Sequence, residues 1–540
     1  MAIDDLYTAG IASGWSVTDA ATLQNNQTLE ADVVIIGTGA GGGTAADILS
    51  AAGLQVLMLE EGPLQTAAQF KDMDEQRAYR DLYQEGAARM TADGAISVLQ
   101  GRSVGGTTTV NWTSSFRTPT QTLARWADAH GVIDADAASM RPWFEQAESR
   151  LGVAPWAAAP NANNAVLRDG CDKLGWEWHV IPRNVRGCWN SGYCSVGCPV
   201  NAKQGMLVTT LPAALQRGAS LIYRVRAQRL RYRGDQVQDL QAVALGADGT
   251  TPNGVTLTIR ARHYVVAGGA INSPALLLRS GTPDPYGRLG KRTMIHPVVL
   301  TLAEMPDRVD PYYGAPQSIA SDQFQWQPDG ELPGFKLEVP PIFPFLASAI
   351  FGAHGPALTQ GMQLLPHLNA FLALLRDGFH DHSIGGEIRV DAGGMPILDY
   401  QLSDYLWRGA HRAYLKMAEA QFAAGARRVM AGHLDSPWYR SWAEAQRGIA
   451  DLPMKKFRAG VFTAHLMGGC AMGSDAKTSV CDSHGRHHQV QNLSVLDGSL
   501  FPTSIGANPQ LSIYALISKH ATRLAAQLRP VTAPSTETVS

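Results

Sequence analysis

The chain has 540 residues, 45% of them apolar and 17% charged, an ordinary globular composition at a length that calls for two or more subdomains. With 45 Lys and Arg against 47 Asp and Glu, the net charge is −2. No basic surplus points to nucleic acid, and no charge run points to an electrostatically steered partner.

Residues 1–30 read as an N-terminal arm. Met1-Ala2-Ile3-Asp4-Asp5 lacks the basic and apolar regions of a signal peptide, which points to a cytoplasmic protein. From residue 31 an apolar strand, Ala31 to Ile36, runs into Gly37-Thr38-Gly39-Ala40-Gly41-Gly42, then a small-residue helix and a second strand, Val56-Leu57-Met58-Leu59, ending at Glu60. Gly37 allows the tight turn, Gly39 lets the backbone approach a pyrophosphate, and Gly42 lets helix pack on strand. The helix N-terminus offers free N–H groups to phosphates. Glu60 stands where an acid can hold ribose hydroxyls. This is a dinucleotide-binding fingerprint, open at this point among FAD, NAD and NADP.

Residues 65–100 are polar and helix-prone, and a glycine and threonine run follows from Gly101 to Asn111, containing Gly105 and Gly106. Residues 121–151 read as helices, and a cysteine cluster sits at 188–198. Residues 220–266 read as short strands. The last ends at Ala267-Gly268-Gly269 before a helix near Ser273-Pro274, a second strand–glycine–helix turn that belongs beside the first in a doubly wound sheet. The character changes over residues 300–450. From Val339 to Leu375 there is no Asp, Glu, Lys or Arg, although prolines interrupt the run before it reaches the ~20 residues of a membrane span. It reads either as core with a packed lid, or as a lipophilic substrate mouth or shallow membrane-contact patch. The segment Gly386-Glu387-Ile388-Arg389-Val390 and a long helix around 404–425 follow. From about 456 the chain is glycine-rich, a helix spans Leu511 to Leu528, and residues 531–540 read as a flexible tail.

Two late blocks carry chemistry. One is Thr463-Ala464-His465-Leu466-Met467-Gly468-Gly469-Cys470; alone, its histidine would be structural. The other is Val495-Leu496-Asp497-Gly498, then Gly506-Ala507-Asn508-Pro509-Gln510, which sets a helix N-terminus where negative charge needs stabilising.

Taken together, five blocks resemble the glucose–methanol–choline flavoprotein oxidoreductases: the fingerprint, the Gly101–Asn111 loop, Gly269 to Gly281, the His465 block and the Asp497/Asn508 block. The resemblance covers nearly the whole chain. It implies an α/β protein whose Rossmann-like FAD domain is discontinuous (31–135, 200–300 and 456–530). A substrate domain on an antiparallel sheet (136–199 and 301–455) accompanies it. It implies Glu60 on the adenosine ribose, Gly105, Gly106 and Asn111 around pyrophosphate and flavin, and the main chain of Ala227 at the adenine. Asp497 and Gly498 fall near the ribityl chain, and Asn508, Pro509 and Gln510 at the helix start beneath the flavin. Members with covalent flavin carry a His where this chain has Val110, so dissociable FAD is expected. His465 matches the catalytic base and Asn508 the second active-site position. The residue types fit alcohol oxidation: a neutral imidazole can accept the hydroxyl proton and an amide can hydrogen-bond the alkoxide.

Cys188, Cys194 and Cys198, closed by Pro199, have the short loop spacing an iron–sulfur cluster uses, and cytochrome-linked sugar dehydrogenases of the family look similar here and carry a three-iron cluster. The alternative is three reduced thiols. The reading that results is an FAD-dependent oxidation of an apolar or long-chain primary alcohol, with oxygen, a quinone or a cytochrome as acceptor. No nucleic acid partner is expected. Rival readings are non-oxidative chemistry of the same family (a lyase or photodecarboxylase) and a sugar or polyol dehydrogenase passing electrons through a cluster.

Overall fold

The computed structural model describes residues 5–326 and 330–529; the expected tail at 531–540 and the first four residues of the arm lie outside them. The first sheet has a parallel core. Its strands run in the order Ser16–Asp19, Ser220–Tyr223, Val56–Glu60, Gln27–Ile36, Pro252–Val266. The last half of Pro252–Val266 also pairs in parallel with Leu493–Val495, and its first half pairs antiparallel with Gln236–Leu245, which in turn pairs with Val225–Arg233. Val33 to Ile36 and Val56 to Leu59 are buried along their whole length, as strands covered on both faces must be. Helix Ala40–Ala51 leaves the Gly37 turn and packs against the C-terminal helix Gln510–Leu528. Segments far apart in sequence thus meet beside the fingerprint.

The second sheet is antiparallel over most of its width. Its order is Ile96–Val98, Val461–Thr463, Val298–Glu304, Leu368–Leu375, Phe335–Glu338, Ile319–Ser321, His179–Val180, with Arg428–Ala431 also on Val298–Glu304. The side-chain period of two decides what each face meets. Phe371, Ala373 and Leu375 join the cluster under helix Asp404–Ala423, whereas Leu368, Ala370, Leu372 and Leu374 join a separate apolar cluster on the other face. The uncharged run therefore holds a strand buried on both faces, preceded by a helical hairpin, Pro344–Phe351 and Gly355–Gln363. Phe345 in the hairpin is 52% exposed, while Ile342, Ala347 and Leu365 anchor its inner side.

Three segment assignments change. The arm carries helix Leu6–Ala12 and the edge strand Ser16–Asp19 of the first sheet, because its backbone completes the hydrogen bonding of Ser220–Tyr223. Ile96–Val98 and Val461–Thr463, read as parts of the FAD segments, pair with each other in parallel inside the second sheet. Helix Ala137–Leu151, read as substrate domain, packs instead on helix Gln510–Leu528. No helix among the described residues is long and apolar enough to cross a membrane.

Candidate active site

One cavity joins most of the residues singled out from the sequence. Gly37, Thr38, Gly39, Ala40, Gly41 and Glu60 line one end, with Ala227 and Gly106 beside them. Asn111, Asn508, Pro509 and Gln510 line the other end, with His465, and Asp497 and Gly498 lie between, a Cβ on Gly41 standing 3.0 Å from Asp497 Cα. Gly42 and Gly105 do not line it; they serve it from behind.

The glycines test whether this shape suits a dinucleotide. A Cβ on Gly42 would stand 1.9 Å from Gly37 O, and one on Gly41 1.8 Å from Leu496 O, so packing alone requires both. Gly37 has φ +103°, and a Cβ there would meet Ala267 O at 2.4 Å. Gly39 differs. Its φ of −68° suits any residue, and a Cβ would find only Gly106 Cα, at 3.8 Å. The protein itself does not need glycine at 39. A ligand approaching the backbone at the helix N-terminus does, and that is what a pyrophosphate requires.

Glu60 is buried, and burial raises its pKa. Its Oε2 accepts from Thr38 N at 3.0 Å and Thr38 Oγ1 at 2.6 Å, and its Oε1 accepts from Gly62 N at 2.9 Å. Thr38 Oγ1 also accepts from Gly105 N at 3.0 Å. Glu60 thus braces the glycine turn against the Gly105 loop, and keeps lone pairs for a ribose.

At the far end, Lys203 was not foreseen. Buried and with its pKa lowered by burial to about 8, its Nζ donates to the carbonyls of Thr109 (2.8 Å), Asn111 (2.7 Å) and Cys194 (2.6 Å). Asn111 Nδ2 donates to Gln510 Oε1 at 2.7 Å, tying that loop to the last helix. Asp497 accepts from Gly269 N at 2.8 Å and Ser499 N at 2.8 Å, joining the second glycine turn to the Gly498 turn.

Asn508 and His465 each rest on a partner the sequence reading missed. Asn508 Nδ2 donates to Glu338 Oε2 at 3.2 Å, and Gln317 Nε2 donates to the same oxygen. Glu338 is fully buried and its Oε1 has no protein partner, so burial pushes its carboxyl up to about 7. His465 follows the strand Val461–Thr463, and its ring Nδ1 lies 3.0 Å from Nδ1 of the buried His296. The two are brought together because Leu466 pairs with Ile295 across neighbouring strands. Burial lowers the His465 pKa to about 4, so the ring is neutral at physiological pH. No motif signal marks Glu338, which alternates with Lys336 in the four-residue strand Phe335–Glu338. His296 had only its place before Pro297 as a cue.

The iron–sulfur expectation is corrected. Among the described residues, no group of three or more His, Cys, Asp or Glu is placed to hold a metal ion. Cys188, Cys194 and Cys198 are free thiols engaged separately: Cys188 Sγ accepts from Asn190 N at 3.4 Å, Cys198 Sγ from Lys203 N at 3.4 Å and Cys194 Sγ from Arg183 at 3.6 Å.

Family models described as GMC oxidoreductase match residues 79–298 and 385–516. An uncharacterized GMC-type oxidoreductase of Mycobacterium tuberculosis is 32% identical over 90% of this chain and 74% of its own length. One from Sinorhizobium fredii is 30% identical over 92% and 94%. A long-chain-alcohol oxidase of Arabidopsis thaliana is 28% identical over 91% and 67%. Among solved structures, pyridoxine 4-oxidase from Mesorbium loti superposes with a TM-score of 0.66 at 20% identity, covering 91% of this chain and 98% of that one. A formate oxidase of Aspergillus oryzae gives 0.68 at 14% identity, covering 94% and 100%. The chain belongs to the GMC oxidoreductase family, whose members bind FAD, and its fold is the FAD-binding Rossmann-like domain joined to a substrate-binding domain.

Proposed function

We propose that the chain oxidises an apolar, long-chain primary alcohol to the aldehyde, using dissociable FAD. The observation that carries the reading is the single cavity running from the Gly37–Thr38–Gly39 turn to His465 and Asn508, with Val298, Leu372, Leu374 and Phe462 on its wall. The similarity to long-chain-alcohol oxidases supports the same substrate class. The Gly39 opening, Glu60 and the Asn111 and Asp497 loops would hold the cofactor, and FAD bound there would supply the hydride acceptor. Val110 is buried and has no nucleophilic atom, which supports non-covalent binding.

The chain's own work is at the alcohol oxygen. His465 opens on the cavity beside Asn508, so the ring and the amide bracket that oxygen and can hold its growing negative charge. The hydroxyl proton has to leave as well. Two titratable groups stand at that end, His465 and, behind Asn508, Glu338. The apolar wall excludes water and positions the carbon chain.

Anaerobic addition of alcohols of rising chain length to the yellow holoprotein tests this. Bleaching of the flavin band, fastest with the longer chains, is expected. A flavin that stays oxidised with every alcohol would overturn the reading in favour of non-oxidative chemistry. Readmitting oxygen, or adding a quinone or cytochrome c to the reduced protein, then identifies the acceptor.

A further inference from the structure

Two buried cations stand behind one wall of the cavity, and neither meets an acid. The wall is the stretch Val110 to Ser114, which lines the cavity, whereas Lys203 and Arg183 do not. Lys203 Nζ donates to the carbonyls of Thr109, Asn111 and Cys194 at 2.8, 2.7 and 2.6 Å. An ammonium has three hydrogens for these three oxygens. A neutral amine has two, and would turn its lone pair on the third oxygen, so the geometry calls for the charged form. Arg183 is buried beside it. Its Nε donates to Thr113 Oγ1 at 2.9 Å and its Nη2 to Trp112 O at 3.3 Å, and its Nη1 has no protein partner. Every acceptor of the pair among the described residues is a carbonyl, a hydroxyl or the Cys194 sulfur; none is a carboxylate. The titratable groups facing Lys203 are Arg183, Cys194 and Cys198. The wall passes the charge on. Asn111 O points at Lys203, so in this trans peptide the N–H of Trp112 points away from it, and that N–H has no partner among the described residues.

We propose that Lys203 and Arg183, acting through the Val110–Ser114 wall, raise the reduction potential of the bound flavin. Buried cations without acids are costly to keep. The negative charge that repays them comes with the cofactor. Hydride uptake brings two electrons and one proton to FAD and leaves it one unit more negative, at the end of the cavity that Asn111 lines. A positive potential held there before reduction favours the reduced form, and it needs no reorganisation because both cations are already fixed by hydrogen bonds. Neither residue touches the reacting atoms. The inference rests on FAD binding and not on the choice of substrate.

The test is the reduction potential of the holoprotein, read against a reference dye during anaerobic titration with dithionite and no alcohol. The parent protein is expected to hold FAD at a more positive potential than free FAD. Lys203→Met should lower the two-electron reduction constant at least about tenfold, a shift of about 30 mV. Lys203→Arg, which keeps the charge, should stay within about threefold of the parent. Where Lys203→Met does not retain the flavin, Arg183→Gln reads the other charge and should fall in the same direction. A charge-removing variant that retains FAD at the parent potential, with only its melting temperature lowered, would show that the cations merely fasten the loop and would overturn the proposal. So would a Lys203→Arg protein that falls as far as Lys203→Met, or a parent potential at or below that of free FAD. A flavin that no alcohol bleaches would remove the alcohol reading and leave this one standing.

Discussion

Glu338 shows how one buried carboxyl couples site geometry to pH. Its pKa rises from 4.5 to about 7 because burial penalises the charged form, a difference worth about 3 kcal/mol at full effect. The sign follows directly. The folded state favours the protonated form, so its contribution is harmless below pH 4.5 and becomes a growing penalty as pH rises toward 7. Glu338→Gln keeps an acceptor for Asn508 and cannot ionise. Its melting temperature is expected to gain on the parent protein between pH 5 and 8, and a gap that does not change with pH would refute the shift. The same residue orients Asn508, because an ionised carboxylate can only accept and so holds Nδ2 toward itself. Protonation below about pH 7 lets the carboxyl donate as well as accept, so flavin reduction in the parent protein should change with pH across that range, whereas Glu338→Gln, which cannot ionise, should lack that transition.

Within the strand–turn–helix unit, two glycines one turn apart have separable roles. Gly42→Ala forces a Cβ to 1.9 Å from Gly37 O and should unfold the nucleotide-binding half. Gly39→Ala meets nothing nearer than 3.8 Å and should leave melting of the apoprotein within about 0.5 kcal/mol of the parent while weakening FAD binding at least about tenfold, read by flavin fluorescence on titration. Retained FAD affinity in Gly39→Ala would remove the pyrophosphate from that place. Such elements were legible because their signal is local. The glycine turn and helices Asp404–Ala423 and Gln510–Leu528 follow from spacing within a short window. Ile96–Val98 carries only three residues of pattern, and its parallel pairing with Val461–Thr463 spans most of the chain. The partners of the site failed for the same reason. His465 and Asn508 sit in motifs, while His296, Glu338 and Lys203 act through distances that no sequence window contains.

Over the whole molecule, the uncharged segment links surface to chemistry. Its strand Leu368–Leu375 sends Leu372 and Leu374 to the cavity wall, and the same apolar cluster continues through Ile342 and Ala347 to the hairpin. Widening or narrowing that wall should shift chain-length preference without touching the reacting end. Leu374→Phe is expected to move the best alcohol toward shorter chains in kcat/KM, and an unchanged profile would place the alkyl chain elsewhere. The cavity also has a history in time. Helix Ala40–Ala51, which begins on its wall, packs against helix Gln510–Leu528, far later in the sequence. During synthesis the fingerprint therefore emerges long before its other wall exists. Cofactor uptake has to wait for the C-terminal helix to arrive, and a nascent chain stalled before residue 493 would present apolar strand edges with nothing to cover them. Helix Gln510–Leu528, made long after the fingerprint, is thus the one that covers helix Ala40–Ala51.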